Sequence, residues 1–566
     1  MTPRLPEGAG ERMLLVLLLL ATFLLVLEPG RVPLFEPDEG RYGEIPREML
    51  ASGDFLTPRL DGVLYFEKPP LYYWSVAASM ALLGPTELAV RLPGKLSAAG
   101  MVLLAAAFAR RRYGARTGLL AGLVLASSLL VVALARLAII DPMVSLALSG
   151  AAFAFAAFAE GDAEGDVPRA RRALYGLHVA CAAAVLLKGL IGVVLPGGAI
   201  VFWTLLTGRW RTLARVFSPG PIVVFLALAV PWHVAMARRH PDFLQFYFVH
   251  EHFERFATTE HHREGPVVYF VPVLLAGFLP WTAFLVYGKE TWPGVSRAAW
   301  KARASEAFLW TFSALVFAFF SISRSKLIPY VLPIWPALAV HLGLGIERAR
   351  LRGATFRGAR TATGILFGAL LCAGLAYGFG SGYLARFGAT GAGACALLAL
   401  FGGFVLNVSP RLTAQWDAAP LVAAPWLLFT ACLLAVLPGA ARWVTPWPVV
   451  RPALAALTPD ALLLQRGHYL EVLPFYAGRL TPVSDLGWSE LDFGRLHAGT
   501  EALFPSDADF AALWNGPRRV VVMVHRDALA GFAKPPLSTT PAGVLGRENN
   551  GKHVALTNRI TESESR

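Results

Sequence analysis

The amino-acid sequence predicts an α-helical polytopic membrane protein of about thirteen transmembrane helices with a small C-terminal extracytoplasmic α/β domain. Three observations predict it. Of the 566 residues, 55% are apolar and only 16% charged, where soluble chains carry roughly a quarter; mean hydropathy is +0.53. The apolar residues gather in runs such as Leu119 to Ala135, Pro221 to Ala237 and Ala362 to Gly378, each long enough to cross the hydrocarbon as a helix. Beyond about residue 440 the long runs stop, and short strand-like pieces follow at Ala461 to Leu464, Val520 to Val524 and Val554 to Leu556.

Spans are expected at 13–28, 91–110, 117–135, 142–159, 173–187, 190–207, 219–237, 266–287, 306–322, 330–346, 361–379, 389–406 and 419–437. The first follows Arg4, Glu11 and Arg12 and is followed by Glu28, Pro29 and Gly30 with no small-residue cleavage site. It reads as a retained span rather than a signal peptide. The short aromatic stretch Leu71 to Gly84 reads as a helix lying in the membrane interface. Two domains result: a transmembrane part, 1–439, whose first extracytoplasmic loop, 29–90, carries interfacial helices, and a soluble periplasmic domain, 440–566, with a polar end. No internal repeat is evident, which weighs against a transporter built from two related halves.

The net charge of +13 does not point to nucleic acid, because the cations sit in short loops between spans. Arg110, Arg111, Arg112 and Arg116, then Arg209, Arg211 and Arg215, then Lys289, Arg297, Lys301 and Arg303, then Arg348, Arg350, Arg352, Arg357 and Arg360 all fall on one side, which the excess of Lys and Arg marks as cytoplasmic. The loops 29–90 and 238–265 and the tail after 439 then lie outside. Cys181, Cys372, Cys395 and Cys432 stand in apolar runs without metal-ligand spacing and read as packing residues.

The outside segments hold the candidate chemistry. Glu36-Pro37-Asp38-Glu39-Gly40-Arg41-Tyr42 offers an acidic pair able to bind a metal, hold a cationic sugar or act as a base, or simply to cap a helix. In Tyr65-Phe66-Glu67-Lys68-Pro69-Pro70-Leu71, Lys68 suits a phosphate or an interfacial anchor. Asp141 before Pro142 is either an intramembrane functional carboxylate or a helix cap with Arg136 as ion-pair partner. Lys188 is a phosphate ligand or a snorkelling residue. The loop His250-Glu251-His252-Phe253-Glu254-Arg255-Phe256, continuing through His261 and His262, has zinc-ligand chemistry without metalloprotease spacing, and reads equally as a solvated polar loop. Ser323 to Pro333 brings cations, hydroxyls and Tyr330 to a proline-broken helix start.

Through Asp38-Glu39-Gly40-Arg41-Tyr42, Ser52-Gly53-Asp54, Thr57-Pro58-Arg59-Leu60, Tyr65-Phe66-Glu67-Lys68-Pro69-Pro70-Leu71, His250-Glu251-His252-Phe253-Glu254-Arg255-Phe256, Pro329-Tyr330-Val331-Leu332-Pro333 and His468-Tyr469 with Phe475-Tyr476-Ala477-Gly478-Arg479, the chain resembles the GT-C membrane glycosyltransferases. Within that class it is most similar to the bacterial lipid A 4-amino-4-deoxy-L-arabinosyltransferases, over its whole length. It departs from their pattern at Ile328 and in the acidic insertion Glu160 to Asp166.

The resemblance implies a GT-C fold in the bacterial inner membrane, with the active site facing the periplasm. The implied partners are a sugar donor carried on undecaprenyl phosphate, a lipid A acceptor and membrane lipids, but no nucleic acid. Lys68, Arg255 and Tyr330 would hold the donor phosphate, with Arg41, Tyr42 and Tyr65 beside them. Glu67 and His250 would hold a divalent metal ion resembling zinc, and Asp38, Glu39 and Asp141 would be the catalytic carboxylates lining the sugar and acceptor pocket. The implied reaction is inverting transfer of 4-amino-4-deoxy-L-arabinose to a lipid A phosphate. Transfer of another sugar to lipid A, transfer to protein hydroxyls in the manner of O-mannosyltransferases, and lipid transport without chemistry are the alternatives.

Overall fold

The computed structural model describes residues 8–28, 30, 32–247, 265–380, 400, 418–497, 499–540, 542–548 and 551–559. The chain divides into two units: one of residues 1–27, 94–136 and 140–435, the other of residues 28–93, 137–139 and 436–566.

The first unit is helical. In chain order its elements, with those of the second unit that intervene, are α1 (Ala9–Val26), α2 (Asp38–Ser52), α3 (Leu71–Leu83), α4 (Glu87–Tyr113), α5 (Ala115–Ser127), α6 (Leu129–Leu134), α7 (Asp141–Glu164), α8 (Val167–Lys188), α9 (Ile191–Thr207), α10 (Trp210–Val216) and α11 (Pro219–Arg239). There follow α12 (Phe270–Gly277), α13 (Arg297–Ala302), α14 (Ala304–Ile322), α15 (Trp335–Leu351), α16 (Arg357–Gly380) and α17 (Ala418–Val444). Among the described residues eight helices are long and apolar enough to cross a membrane. Every expected span falls on helix except 389–406, which apart from residue 400 lies outside the described residues.

Two expected spans are not single straight helices. That at 117–135 breaks at Ser128, whose backbone is extended, while the hydroxyls of Ser127 and Ser128 donate back to the carbonyls of Leu123 and Val124 at 2.5 and 2.7 Å. Such back-bonding competes with the helix ladder. That at 266–287 turns by 102° between Gly277 and Thr282, where Pro280 has no amide proton with which to continue the ladder. Backbone groups freed inside a membrane must find partners, and these two breaks supply them to one another. Leu129 N donates to Leu279 O at 2.9 Å, Trp281 Nε1 donates to Ser127 Oγ at 2.8 Å, and Trp426 Nε1 donates to Ser127 O at 2.7 Å.

The second unit contains α2, a two-residue hairpin of β1 (Arg59–Leu60) and β2 (Val63–Leu64), and α3. The hairpin turns on Asp61 and Gly62, both at positive φ, as the Asp-Gly preference of such turns requires. Beyond α17 come α18 (Trp447–Ala455) and a five-stranded sheet of order β4-β3-β5-β7-β6. Its strands are β3 (Leu462–Arg466), β4 (Val483–Ser484), β5 (Val520–His525), β6 (Gly543–Arg547) and β7 (His553–Thr557). β3 pairs parallel with β4 and β5, whereas β7 runs antiparallel to β5 and β6. The valine run of β5 is buried along Val520 to Val524, as expected of a strand covered on both faces. On one side Phe510 and Trp514 pack against Val520, Val522 and Val524.

Buried acid is concentrated near the hairpin. Asp61 is 2% exposed and accepts from Thr481 N and Oγ1 at 2.8 and 3.3 Å, yet burial pushes its carboxyl up to about 8. Burial likewise raises Glu44 and Glu48, with Arg47 opposing the rise in both.

Replacement of Trp426 by Phe removes a donor and leaves a buried carbonyl unpaired, and is expected to cost about 1 kcal/mol, read as a lower thermal midpoint in detergent. Unfolded Asp61 releases its proton near 3.8 but the folded protein retains it to about 8, so this group's contribution to stability is complete below pH 4 and is lost as pH rises to 8. Asp61→Asn, which keeps the acceptor for Thr481 N and tolerates positive φ, is therefore expected to raise the unfolding midpoint at pH 8 and to leave it nearly unchanged at pH 4. An equal shift at both pH values would contradict the assignment.

Candidate functional site

The acidic pair of the first loop opens α2, and the two carboxylates have different surroundings. Glu39 is 1% exposed. Its oxygens accept from Arg91 Nε and Nη2 at 2.8 and 2.7 Å, from Phe35 N at 2.8 Å and from Ala138 N at 2.7 Å. Arg91 also donates to the carbonyls of Val32 and Pro33 at 2.7 and 3.0 Å and to Glu28 at 3.2 Å. Glu39, expected among the catalytic carboxylates, is thus met by four donors on its two oxygens and buried in this pairing. Asp38 stands 52% exposed, with Arg41 Nη1 at 3.2 Å.

Gly40 lets the start of α2 approach α19 (Val472–Ala477), since a Cβ there would lie 2.5 Å from the backbone of Glu471 and Val472. Glu36 completes that approach by accepting from Val472 N at 2.7 Å and Glu471 N at 3.1 Å. Arg41 pairs with Glu490 as well as Asp38. Burial opposes its charge, but Glu490, Tyr65, Glu67 and Asp38 together raise its pKa above the usual arginine value. Glu490 itself is pushed up to about 8 by burial, with Arg41 opposing.

The second motif follows the hairpin. Tyr65 is buried beneath Arg41, whose guanidinium carbon lies 5.9 Å from the ring centroid, and burial raises its hydroxyl pKa. Tyr42 packs edge-on against Tyr72 at 5.0 Å and tilted against Tyr73 at 6.0 Å, both on α3. Lys68 donates to the carbonyl of Glu67 at 2.9 Å and lies 3.7 Å from its carboxylate; each side chain is 17% exposed. A lysine and a carboxylate of low but real exposure thus share one short loop, with Arg41 contributing further positive charge near Glu67.

In the first unit Asp141 is the opening residue of α7 and Lys188 the last of α8. They form an ion pair at 2.5 Å, 13% and 17% exposed. Lys188 Nζ also lies 4.8 Å from the ring centroid of Tyr330, a cation–π contact, and that ring packs on Phe320 at 5.1 Å. The partner expected for Asp141 from proximity in sequence was Arg136. Arg136 instead donates to the carbonyls of Leu24 and Leu27, the last turn of α1, where a helix leaves its carbonyls unpaired. Lys188 is thus engaged by a carboxylate and an aromatic ring.

His250 and Arg255, with the loop around them, lie outside the described residues. Among the described residues no three His, Cys, Asp or Glu side chains gather to hold a metal ion, so Glu67 stands as the one expected ligand within them. Glu490, in direct contact with Arg41 of the first motif, carries no signal in the sequence beyond its acidity, and Glu36, which opens that motif, is not set apart in it by anything local. Glu490 lies far along the chain, in a stretch whose pattern suggests only a polar turn.

Glu39→Ala would strand the buried Arg91 guanidinium and is expected to cost about 3–5 kcal/mol, seen as poor recovery of folded protein and a much lower thermal midpoint. Asp38→Ala, at a half-exposed position, is expected to leave that midpoint within about 0.5 kcal/mol of the parent. Similar losses in the two variants would overturn the distinction between a buried, fully paired carboxylate and a half-exposed one.

Residues 13–247 match the family described as dolichyl-phosphate-mannose-protein mannosyltransferase. An undecaprenyl phosphate-alpha-4-amino-4-deoxy-L-arabinose arabinosyl transferase of Aeromonas salmonicida (strain A449) is 34% identical over 555 residues, covering 92% of this chain and 95% of the relative. The protein of the same name from Serratia proteamaculans (strain 568) is 33% identical over 462 residues, covering 79% and 75%. Against several others of that name, the chain spans between 55% and 60% of their length. The crystal structure of ArnT from Cupriavidus metallidurans bound to undecaprenyl phosphate superposes with a TM-score of 0.83 at 27% identity, covering 98% of this chain and 99% of that one. A match at this identity over nearly the full length of both chains is decisive: the chain belongs to the undecaprenyl phosphate-alpha-4-amino-4-deoxy-L-arabinose arabinosyl transferase family.

Proposed function

We propose that the protein transfers 4-amino-4-deoxy-L-arabinose from undecaprenyl phosphate to a phosphate of lipid A at the periplasmic face of the inner membrane. The observation that carries this reading is the near-complete superposition on a family member whose crystal structure holds undecaprenyl phosphate. Relatives named for this donor, one of them matched over 95% of its length, support it further. The placement of the site outside the cytoplasm rests on the arginine-rich loops, which face the other way.

In the proposed reaction a lipid A phosphate oxygen attacks the anomeric carbon as its bond to the undecaprenyl phosphate oxygen breaks, inverting the centre. The nucleophile is already anionic, so no strong base is needed, and the work of the protein is positioning and charge stabilisation. Lys68 and Arg255 neutralise the departing phosphate and Tyr330 donates a hydrogen bond to it. Asp141 is occupied by Lys188, which leaves half-exposed Asp38 better suited to meet the sugar ammonium or the oxocarbenium-like centre. A divalent ion resembling zinc, held by Glu67 and His250, would add positive charge at the donor phosphate, and no step depends on it.

A second reading, transfer of a sugar to protein hydroxyls, is favoured by the match of residues 13–247 to protein mannosyltransferases. It would require Asp38 to act as a base. Mass spectrometry of lipid A from cells lacking their own arabinosyltransferase separates the two. Expression of this chain is expected to add one aminopentose, and Asp38→Ala to abolish the addition. Lys68→Ala should reduce turnover by about 10²–10³-fold, the scale of losing one charge-stabilising group. Unmodified lipid A beside newly glycosylated protein would shift the assignment to the second reading.

A further inference from the structure

A cavity of about 800 Å³ opens between α4, α7 and α8, at the ends of these helices that carry the arginine clusters. Its walls are apolar, formed by Leu104 and Phe108 of α4, Gly150 and Phe153 of α7, and Gly176 and Ala180 of α8. Its mouth holds four arginines, Arg111, Arg112, Arg169 and Arg172, and one carboxylate, Glu160. Glu160 is 6% exposed and is already shared by Arg112 and by Arg169, the latter at 2.7 Å. Arg169 reaches Glu164 as well, at 2.9 Å. Arg111 forms no ion pair among the described residues, and Arg172 donates only to the carbonyl of Pro168, at 3.3 Å.

Two exposed guanidinium groups therefore stand without carboxylate partners at the rim of an apolar groove. The groove runs along α7 from Glu160 to Gly150, roughly 15 Å at 1.5 Å per residue, which is half of a hydrocarbon core of about 30 Å. A site with these dimensions and this charge suits a ligand with an anionic head at the membrane surface and chains that reach the midplane. We propose that the groove is a binding site for one anionic diacyl phospholipid, its phosphate held by Arg111 and Arg172 and its acyl chains lying on the small residues of α7 and α8. Basic pockets between transmembrane helices on the positively charged side of a protein are the setting in which such headgroups are recognised. This assignment involves none of the residues proposed for sugar transfer and stands whether or not that reading holds.

The test uses the full chain purified in detergent and offered equal amounts of phosphatidylglycerol and phosphatidylcholine, with bound lipid counted by native mass spectrometry. One phosphatidylglycerol is expected to be retained in preference to phosphatidylcholine by about tenfold or more, and R111Q/R172Q should reduce the two to near parity, since these cations supply the preference for an anionic headgroup. Gly176→Phe, which fills the groove without altering its charge, should lower the retention of both lipids. Equal retention by the parent protein, an unchanged preference in R111Q/R172Q, or undiminished binding in Gly176→Phe would each overturn the proposal.

Discussion

The buried pairing of Glu39 with Arg91 is the contact on which the organisation of the first loop rests. Removing two charges from water is costly, and the cost is offset only when geometry is good and the remaining lone pairs are satisfied. Here the guanidinium meets the carboxylate through two nitrogens, while backbone amides at residues 35 and 138 take the remaining acceptor capacity. Four separate stretches of chain, around residues 32–35, 39, 91 and 138, are thereby tied to one pair of side chains. The start of α2 is fixed as a consequence. Successive residues on a helix diverge by about 100°, so the same geometry that buries Glu39 leaves Asp38 accessible.

This division of labour was only half legible in the sequence. An Asp-Glu pair at a helix start announces carboxylates, but nothing local says which is buried, because the partner of Glu39 lies 52 residues away. Asp141 presents the same difficulty: Arg136 is close along the chain, yet Lys188, 47 residues on, closes the ion pair. Spans were readable because hydrophobic length is a property of consecutive residues. Their interruptions at Ser128 and Pro280 were not, since serine is tolerated in helices and a proline bends many spans without ending them. β3, β5 and β7 showed through as short valine- and leucine-rich pieces, whereas β1, β2 and β4, two residues long, and β6, Gly543–Arg547 with two glycines, have no sequence pattern to find.

Electrostatics separates two kinds of surface in this protein. Around α2 and the hairpin, burial pushes Asp61 up to about 8 and raises Glu44 and Glu48 beside it. A neutral acid donates as well as accepts, so a cluster that would repel itself when fully ionised remains compact. At the arginine-rich ends of α4 and α8 the balance is opposite, with a surplus of permanently charged guanidinium groups. Arginine cannot relieve burial or crowding by giving up its proton, and the surplus there must be met by an external anion or by water.

The mutual satisfaction of the two helix breaks bears on how the chain is made. Until Leu279 is synthesised, the amide of Leu129 lacks the acceptor it has in the finished protein, and Trp281 and Trp426, the indoles that secure Ser127, arrive later still. A nascent segment 115–134 released alone into lipid would expose polar backbone to hydrocarbon, at several kcal/mol for each unsatisfied group. About 150 residues separate the first broken segment from its partner in translation. The insertion machinery must therefore either retain that segment in a wet or proteinaceous environment while the next spans emerge, or let it enter the bilayer as a continuous helix that breaks only on assembly.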